Sequence, residues 1–327
     1  MTRRLLKDMK VREFFDKAVQ VGIDNDPRGK EIVLRVLEDR NKDFNKIEEK
    51  EKEYYDEGLL TNPYPDTKIL YATGEEDIRG AIVGIDMEAP EVAITHALRE
   101  RGEPIDLIIA HHPEGAAYAK LHEVMAMQAD ILGRFGVPIN MAEALLEKRI
   151  ADVERRLLPA NHSRAVDAAK LLNIPMINLH TPSDNMVATY LQNRFDKEAP
   201  RTLGDILDML LEEPEYKDAK REGAGPKIII GSEKRQTGKV FVDMTGGTEG
   251  AKEIFKGMLQ CGINTVVGMH FSDDHKKEAE KNHLNLVIAG HISSDNVGLN
   301  LLFDQVSGKD GVKFYEASGF RRFSRVA

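Results

Sequence analysis

The sequence predicts an α/β fold built as two similar halves facing each other, with a helical extension at the N-terminus. Three observations carry this. From about residue 65 onward, short apolar runs alternate with helical patterns, the texture of an α/β layer fold. The same strand end is written twice, "HTPSDN" at 180–185 and "HISSDN" at 291–296, each after an apolar run and before an apolar-periodic one. The first 60 residues differ from both halves in being densely and evenly charged. The division expected is 1–60 a charged helical extension, 65–195 a first α/β domain with a helical insertion, 196–225 a linker, and 226–327 a second α/β domain.

Taken in order, "VREFFDKAVQVG" sets Val11, Phe14, Phe15 and Val19 at helical spacing. The mixed-charge stretch that follows reads as a solvated helix pair leaning on another subunit. "KILYAT", "GAIVGIDM", "DLIIAHH", "VPINM" and "PMINLH" read as strands of the first half. Between them, "EVAITHALRERG" and the amphipathic "LHEVMAMQADILGRFG" read as helices, and 144–172 as two further helical segments. In the linker one helix starts at Thr202. "KIIIGS", "KVFVDMTGG", "NTVVGMH", "LNLVIAGH" and "VKFYEAS" supply the second half.

Composition bounds the function. The chain has 327 residues, 41% of them hydrophobic, enough for a real core. No apolar run approaches the ~20 residues that span a bilayer, and no signal-peptide pattern opens the chain. A single cysteine, Cys261, excludes an intrachain disulfide and fits a cytoplasmic setting; its apolar neighbourhood places it in the core. A net charge of −9 disfavours broad binding to nucleic acid.

The chemistry gathers at strand ends. Three apolar runs end in histidine, at His111-His112, His180 and His291. Ligands of α/β sheets bind beyond the carboxyl ends of the strands, so these ends can share one crevice. Asp184 and Asp295 stand four residues after His180 and His291, at helix starts. Either aspartate alone reads as a helix cap. Together with "HHP" they read as a metal site, because neutral imidazole and carboxylate suit zinc, iron, manganese, cobalt or nickel. Adjacent His111 and His112 would face opposite sides of a strand; Pro113 encourages the chain to leave strand geometry there, and each histidine can then serve one of two neighbouring ions.

"DLIIAHHP", the His180/Asp184 pair, "GHISSDN", "GAIVGIDMEAPEVAITHAL" and "DMTGGTEG" together resemble the NIF-three-like dinuclear-metal family, which includes the GTP cyclohydrolase I type 2 homologs. The resemblance runs from about residue 65 to 305. It implies two similar α/β domains facing each other across a metal cleft, two divalent metal ions, and a homo-oligomer, a ring of six. It implies the ligands His111, His112, Asp184, His291 and Asp295, with His180 matching a family histidine that is not always counted among them. Most relatives carry glutamate at the last position, so Asp295 is one methylene short. The segment after "HHP", the insertion at 114–172 and the N-terminal extension all depart from the family pattern.

Other signals are secondary. "VDMTGGTEGAKEIF" could hold a phosphate at a helix start, but it lacks the P-loop Lys-Ser/Thr and reads better as a tight strand-to-helix turn. His270 and His275 follow another apolar run and are candidates for groups that support the metal ligands or transfer protons. His122, Glu123 and Glu143 are candidates for the cleft wall. Two functions follow: a metal-dependent hydrolase acting on a small, nucleotide-like substrate, or a non-catalytic metal-binding, metal-delivery or regulatory ring protein. An enclosed polar cleft beside the metals favours the first, a shallow one the second.

Overall fold

The structure, a computed structural model, describes residues 9–307 and 311–326. Its strands in chain order are β1 (Met9–Lys10), β2 (Lys68–Tyr71), β3 (Asp77–Ile78), β4 (Gly80–Gly84), β5 (Leu107–Ala110), β6 (Met176–Asn178), β7 (Lys227–Ile230), β8 (Lys239–Asp243), β9 (Ile263–Gly268), β10 (Asn285–Ile288) and β11 (Lys313–Glu316). One sheet has the order β11-β4-β5-β6-β2 and the other β7-β10-β9-β8, with β1 and β3 forming a separate pair. Pairing is parallel through β11, β4, β5 and β6 and through β10, β9 and β8; β2 and β7, at the outer edges of these two sheets, run antiparallel, as does the β1–β3 pair. "LIIA" of β5 and "MIN" of β6 are buried throughout, as expected of parallel strands covered on both faces.

The strand "VKFYEAS", expected in the second half, pairs with β4 in the first sheet, Phe314 opposite Ala81. "VPINM" is not a strand. Pro138 precedes the helix Ile139–Leu157, whose Ala142, Leu146, Val153 and Leu157 face inward at helical spacing. The "LHEVMAMQADILGRFG" pattern is divided between Leu121–Val124 and Met127–Arg134. Thr202 does start a helix, Leu203–Leu210, with a reciprocal capping box to Asp205. A second helix, Pro214–Arg221, follows. Leu203, Ile206, Leu210 and Tyr216 of this stretch belong to a buried cluster, so 196–225 packs as structure and not as a free connector.

The N-terminal stretch is the largest departure. Residues 1–8 lie outside the described residues. The helix Val11–Asp24 is not a solvated extension: Val11, Phe14, Phe15, Ala18, Val19 and Ile23 are buried in the main core. Four apolar positions at helical spacing, with Ala18 and Ile23 completing the stripe, outweigh the charges on the opposite face. Gly22 lets this helix approach closely, since a Cβ there would lie 2.7 Å from the Cβ of Pro182. The next two helices are largely solvated, Lys30–Phe44 with Val33 its one buried side chain and Glu49–Lys52 with none. Among the described residues no helix is long and apolar enough to cross a membrane.

Candidate metal centre

Two helices begin where two strands end. Thr181–Glu198 follows β6, and His291–Val306 follows β10. They pack against each other, so Asp184 and Asp295, each in the first turns of its helix, meet at one point. β5 ends at Ala110, and the chain leaves strand geometry at His111, as the adjacent histidines require. His111 is fully buried between the two carboxylates. Its Nε2 lies 3.6 Å from Asp184 Oδ1 and 3.3 Å from Asp295 Oδ1. His180 Nε2 is 3.6 Å from Asp184 Oδ2. His112 Nε2 and His291 Nε2 are each 3.7 Å from Asp295 Oδ2.

Three of these imidazoles are oriented from behind. His112 Nδ1 donates to Asp86 Oδ1 at 2.7 Å, and His180 Nδ1 to Asp66 Oδ2 at 2.7 Å. His111 Nδ1 donates to the Leu179 carbonyl at 3.3 Å and sits 3.0 Å from Ser183 Oγ. Because a carboxylate or carbonyl can only accept, each contact puts a proton on Nδ1; in the neutral ring, Nε2 then carries the lone pair that faces inward.

Neither aspartate caps its helix. His180 and Gly290 occupy the N-cap positions, without side-chain caps. Of six buried side-chain atoms without a hydrogen-bond partner among the described residues, four lie here: His111 Nε2, Asp184 Oδ1 and both oxygens of Asp295. Buried polar atoms without partners are rare because they cost stability. The separations explain them. Ligand atoms about 2.05 Å from a tetrahedral ion stand roughly 3.3 Å apart, too far for good hydrogen bonds and right for sharing a cation. Two groupings bring one potential ligand atom from each residue within 4.8 Å of one another, His111/His180/Asp184 and His111/His112/Asp295. The residues present therefore fit a divalent metal, and Asp295 stands where one carboxylate can face both positions.

The electrostatics agree. Burial pushes the Asp184 carboxyl up, and the Asp295 charge pushes it further against the pull of His180. Burial acts to lower the His180 pKa, but Asp184 and Asp66 outweigh it and raise it. Burial drives His111 down to about 4, so it is neutral and able to ligate at ordinary pH. Without an ion, His180 and protonation of Asp184 offset the buried charge; a divalent ion would take over that balance.

Above the cluster opens a cleft of about 570 Å³, reaching His112, His180, Asp184, His291 and Asp295 at its floor. Glu114, His162 and Arg164 stand on one wall; Asp243, Glu249 and His270 stand on the other. Burial raises Glu114 to about 7 and Asp243 to about 6. His270 Nδ1 donates to Glu249 Oε1 at 3.1 Å, and its ring is 4.9 Å from that of His291. His275 is held between Ser272 Oγ (2.7 Å) and the Gly250 carbonyl (3.1 Å). His122, Glu123 and Glu143 do not line the cleft; His122 Nε2 sits 3.9 Å from Glu154. The Gly-rich turn is a packing junction. Gly246 and Gly247 have φ of +93° and +86°, and the Gln128 amide donates to the Gly246 and Thr248 carbonyls. Cys261 packs at the edge of the core, its thiol on the Gly136 carbonyl.

Sequence reasoning missed Asp66, Asp86, Glu114 and Asp243. Asp86 and Asp243 do carry a signal, since each closes or follows an apolar strand run, like the histidines.

The architecture matches solved structures. A NIF3 superfamily protein from Sphaerobacter thermophilus superposes with a TM-score of 0.67 over 78% of this chain and 91% of that one, at 24% identity. The chain has the NIF3 fold. Reduced HcgD from Methanocaldococcus jannaschii (TM-score 0.47, 13% identity, 83% of this chain and 97% of that one) is more distant. So is a Bacillus cereus protein related to NIF3 (TM-score 0.40, 11% identity, 77% and 91%). No protein-family model matches the sequence, and no curated protein matches it significantly. On this NIF3 fold, both groupings with ligand geometry lie where the two paired helices begin.

Proposed function

We propose that the protein binds two divalent metal ions and uses them as a hydrolase acting on a small, nucleotide-sized substrate in the cleft. The observation that carries this reading is the set of four unpartnered, buried ligand atoms on His111, Asp184 and Asp295, two of which residues reach the floor of a half-open cleft. His111, His180 and Asp184 would hold one ion, and His112, His291 and Asp295 the other. Ions so held would supply Lewis acidity and would make a water nucleophile available near neutral pH. The cleft volume lies within the range of small-molecule sites. Its walls supply what a hydrolysis needs from the chain: Glu114 and Asp243 hold or release a proton near neutral pH, and Arg164 and His162 offer donors to a polar substrate. The pairing of His270 with Glu249 presents an imidazole beside His291. The assembly proposed is a homo-oligomer, a hexamer by resemblance.

The test is elemental analysis of the purified protein, followed by a hydrolysis screen over nucleotides, amides and esters with and without chelator. Two ions per chain and a chelator-sensitive activity that returns with metal are expected. Two ions with no hydrolysis of any class would turn the reading to a metal-binding or delivery protein. Light scattering on the same preparation reads the assembly, and a monomer mass would exclude the hexamer.

A further inference from the structure

We propose that Asp66, a residue outside both strand-end corners, is the positioning residue that makes His180 a metal ligand, and that the N-terminal segment exists in part to hold it there. The proposal rests on the metal-binding reading above. Asp66 is completely buried, and among the described residues its only ion-pair partner is His180. Oδ2 accepts from His180 Nδ1 and from Thr181 Oγ1, each at 2.7 Å; Oδ1 accepts from Thr67 Oγ1 at 3.4 Å. A carboxylate taken wholly out of water is costly unless something positive balances it. An imidazole does this either as a protonated ring or with its far nitrogen bound to a cation, the second being the carboxylate–histidine–metal arrangement. The far nitrogen here is His180 Nε2, turned to Asp184 Oδ2 at 3.6 Å.

The loop carrying Asp66 is itself braced. Asn62 Nδ2 donates to the Tyr64 and Thr67 carbonyls, and the Asp66 carbonyl accepts from Asn178 Nδ2. Tyr64 donates its hydroxyl to Asp26, which pairs with Arg28. Asn185, next to Asp184, donates to both Asp26 and the Tyr64 hydroxyl. The segment read in sequence as an appendage thus locks the loop of Asp66 to the helix of Asp184. His112 has a similar partner in Asp86, but that carboxylate is 60% exposed, so water can take its place. No solvent reaches Asp66.

The test compares wild type and Asp66→Asn, loaded with cobalt(II) or zinc and titrated with a competing chelator. The asparagine can still accept from Nδ1 but carries no charge. One of the two ion positions should weaken 10–100-fold while the other keeps its affinity, and the cobalt absorption spectrum should change. Thr181→Val removes the other donor to the same oxygen and should leave both affinities within a few-fold. If Asp66 were only structural, both positions would weaken together and Thr181→Val would do likewise; that result overturns the proposal, as do two unchanged affinities in Asp66→Asn. Should Asp66→Asn fail to fold, nitrogen-15 histidine NMR of the metal-loaded wild type decides. An Nδ1–H tautomer with a metal-shifted Nε2 is expected for His180, and an Nε2–H tautomer overturns the assignment. Wild-type protein that takes up no divalent ion would end the metal reading itself, before any variant is made.

Discussion

Asp295 shows what a single residue reveals in sequence and what it hides. Its place four residues after a strand-end histidine was legible, and so was that of Asp184, because each sits on a fixed local geometry. Whether it capped a helix or faced a metal was not legible, since both uses place a carboxylate in a first turn. The structure separates them: Asp295 is fully buried and both its oxygens lack hydrogen-bond partners. Asp66 and Asp86 escaped notice because their partners lie 114 and 26 residues away, beyond any local pattern. A metal-facing role makes a definite prediction. Asp295→Asn removes charge and ligand strength, so the affinity for at least one ion should fall tenfold or more by chelator competition. Asp295→Glu keeps both and should retain two ions. A cap would behave in the reverse order, because Asn caps as well as Asp and Glu does not. Full metal content in Asp295→Asn would show that a cap had been mistaken for a ligand.

At the scale of elements, hydrophobic period read the core strands correctly and failed where tertiary contacts decide. The C-terminal tail is the clearest case. After β11 it runs along the helix of Asp295, gripped by side chains spaced four apart. Asn296 donates to the Gly319 carbonyl and accepts from Arg321 N; Asn300 donates to the Arg321 carbonyl and accepts from Phe323 N; Asp304 accepts from Arg325 N. The three side chains pair with alternate tail residues much as a neighbouring strand would. No periodicity in "SGFRRFSRVA" announces this, because its pairing partner is a column of helix side chains. The tail ends with the Arg325 guanidinium across Glu213 and Glu215, all contacts 2.8 Å. Glu213 also has Arg194, and Glu215 has Asn300, so losing Arg325 exposes neither carboxylate to complete isolation. Removing one partner of a buried pair costs 3–5 kcal/mol at most; with those remaining partners, Arg325→Leu should destabilise by about 2 kcal/mol in urea unfolding. Adding Glu215→Gln should return part of the loss. If Arg325→Leu were neutral, the tail would be a passive end and not a clamp on the helix that carries Asp295.

For the whole molecule, the sequence disclosed that two similar strand-and-helix corners exist but not what sets their distance apart. That distance is fixed where the helices of Asp184 and Asp295 cross. Gly298, one turn past Asp295, lies so close to the other helix that a Cβ would stand 2.3 Å from the Ser183 carbonyl oxygen. Ser183 immediately precedes Asp184, so the closest approach of the two helices is also the point that brings the two carboxylates to His111. In an isolated helix, alanine in place of glycine stabilises by about 1 kcal/mol. Here the sign should reverse. The new methyl must push the helices apart by roughly 1 Å to reach ordinary contact, and overpacking of this kind costs about 1–3 kcal/mol. The same displacement separates Asp184 Oδ1 and Asp295 Oδ1, which now stand 3.6 and 3.3 Å from one nitrogen. Gly298→Ala should therefore lower the melting temperature of the metal-free protein and also weaken metal binding at least tenfold, although residue 298 touches no ligand. The double effect is diagnostic, because a substitution that merely loosened one half would reduce stability without reaching both carboxylates. A Gly298→Ala protein that melts higher than wild type and still holds two ions would mean that the crossing does not set the geometry of the site.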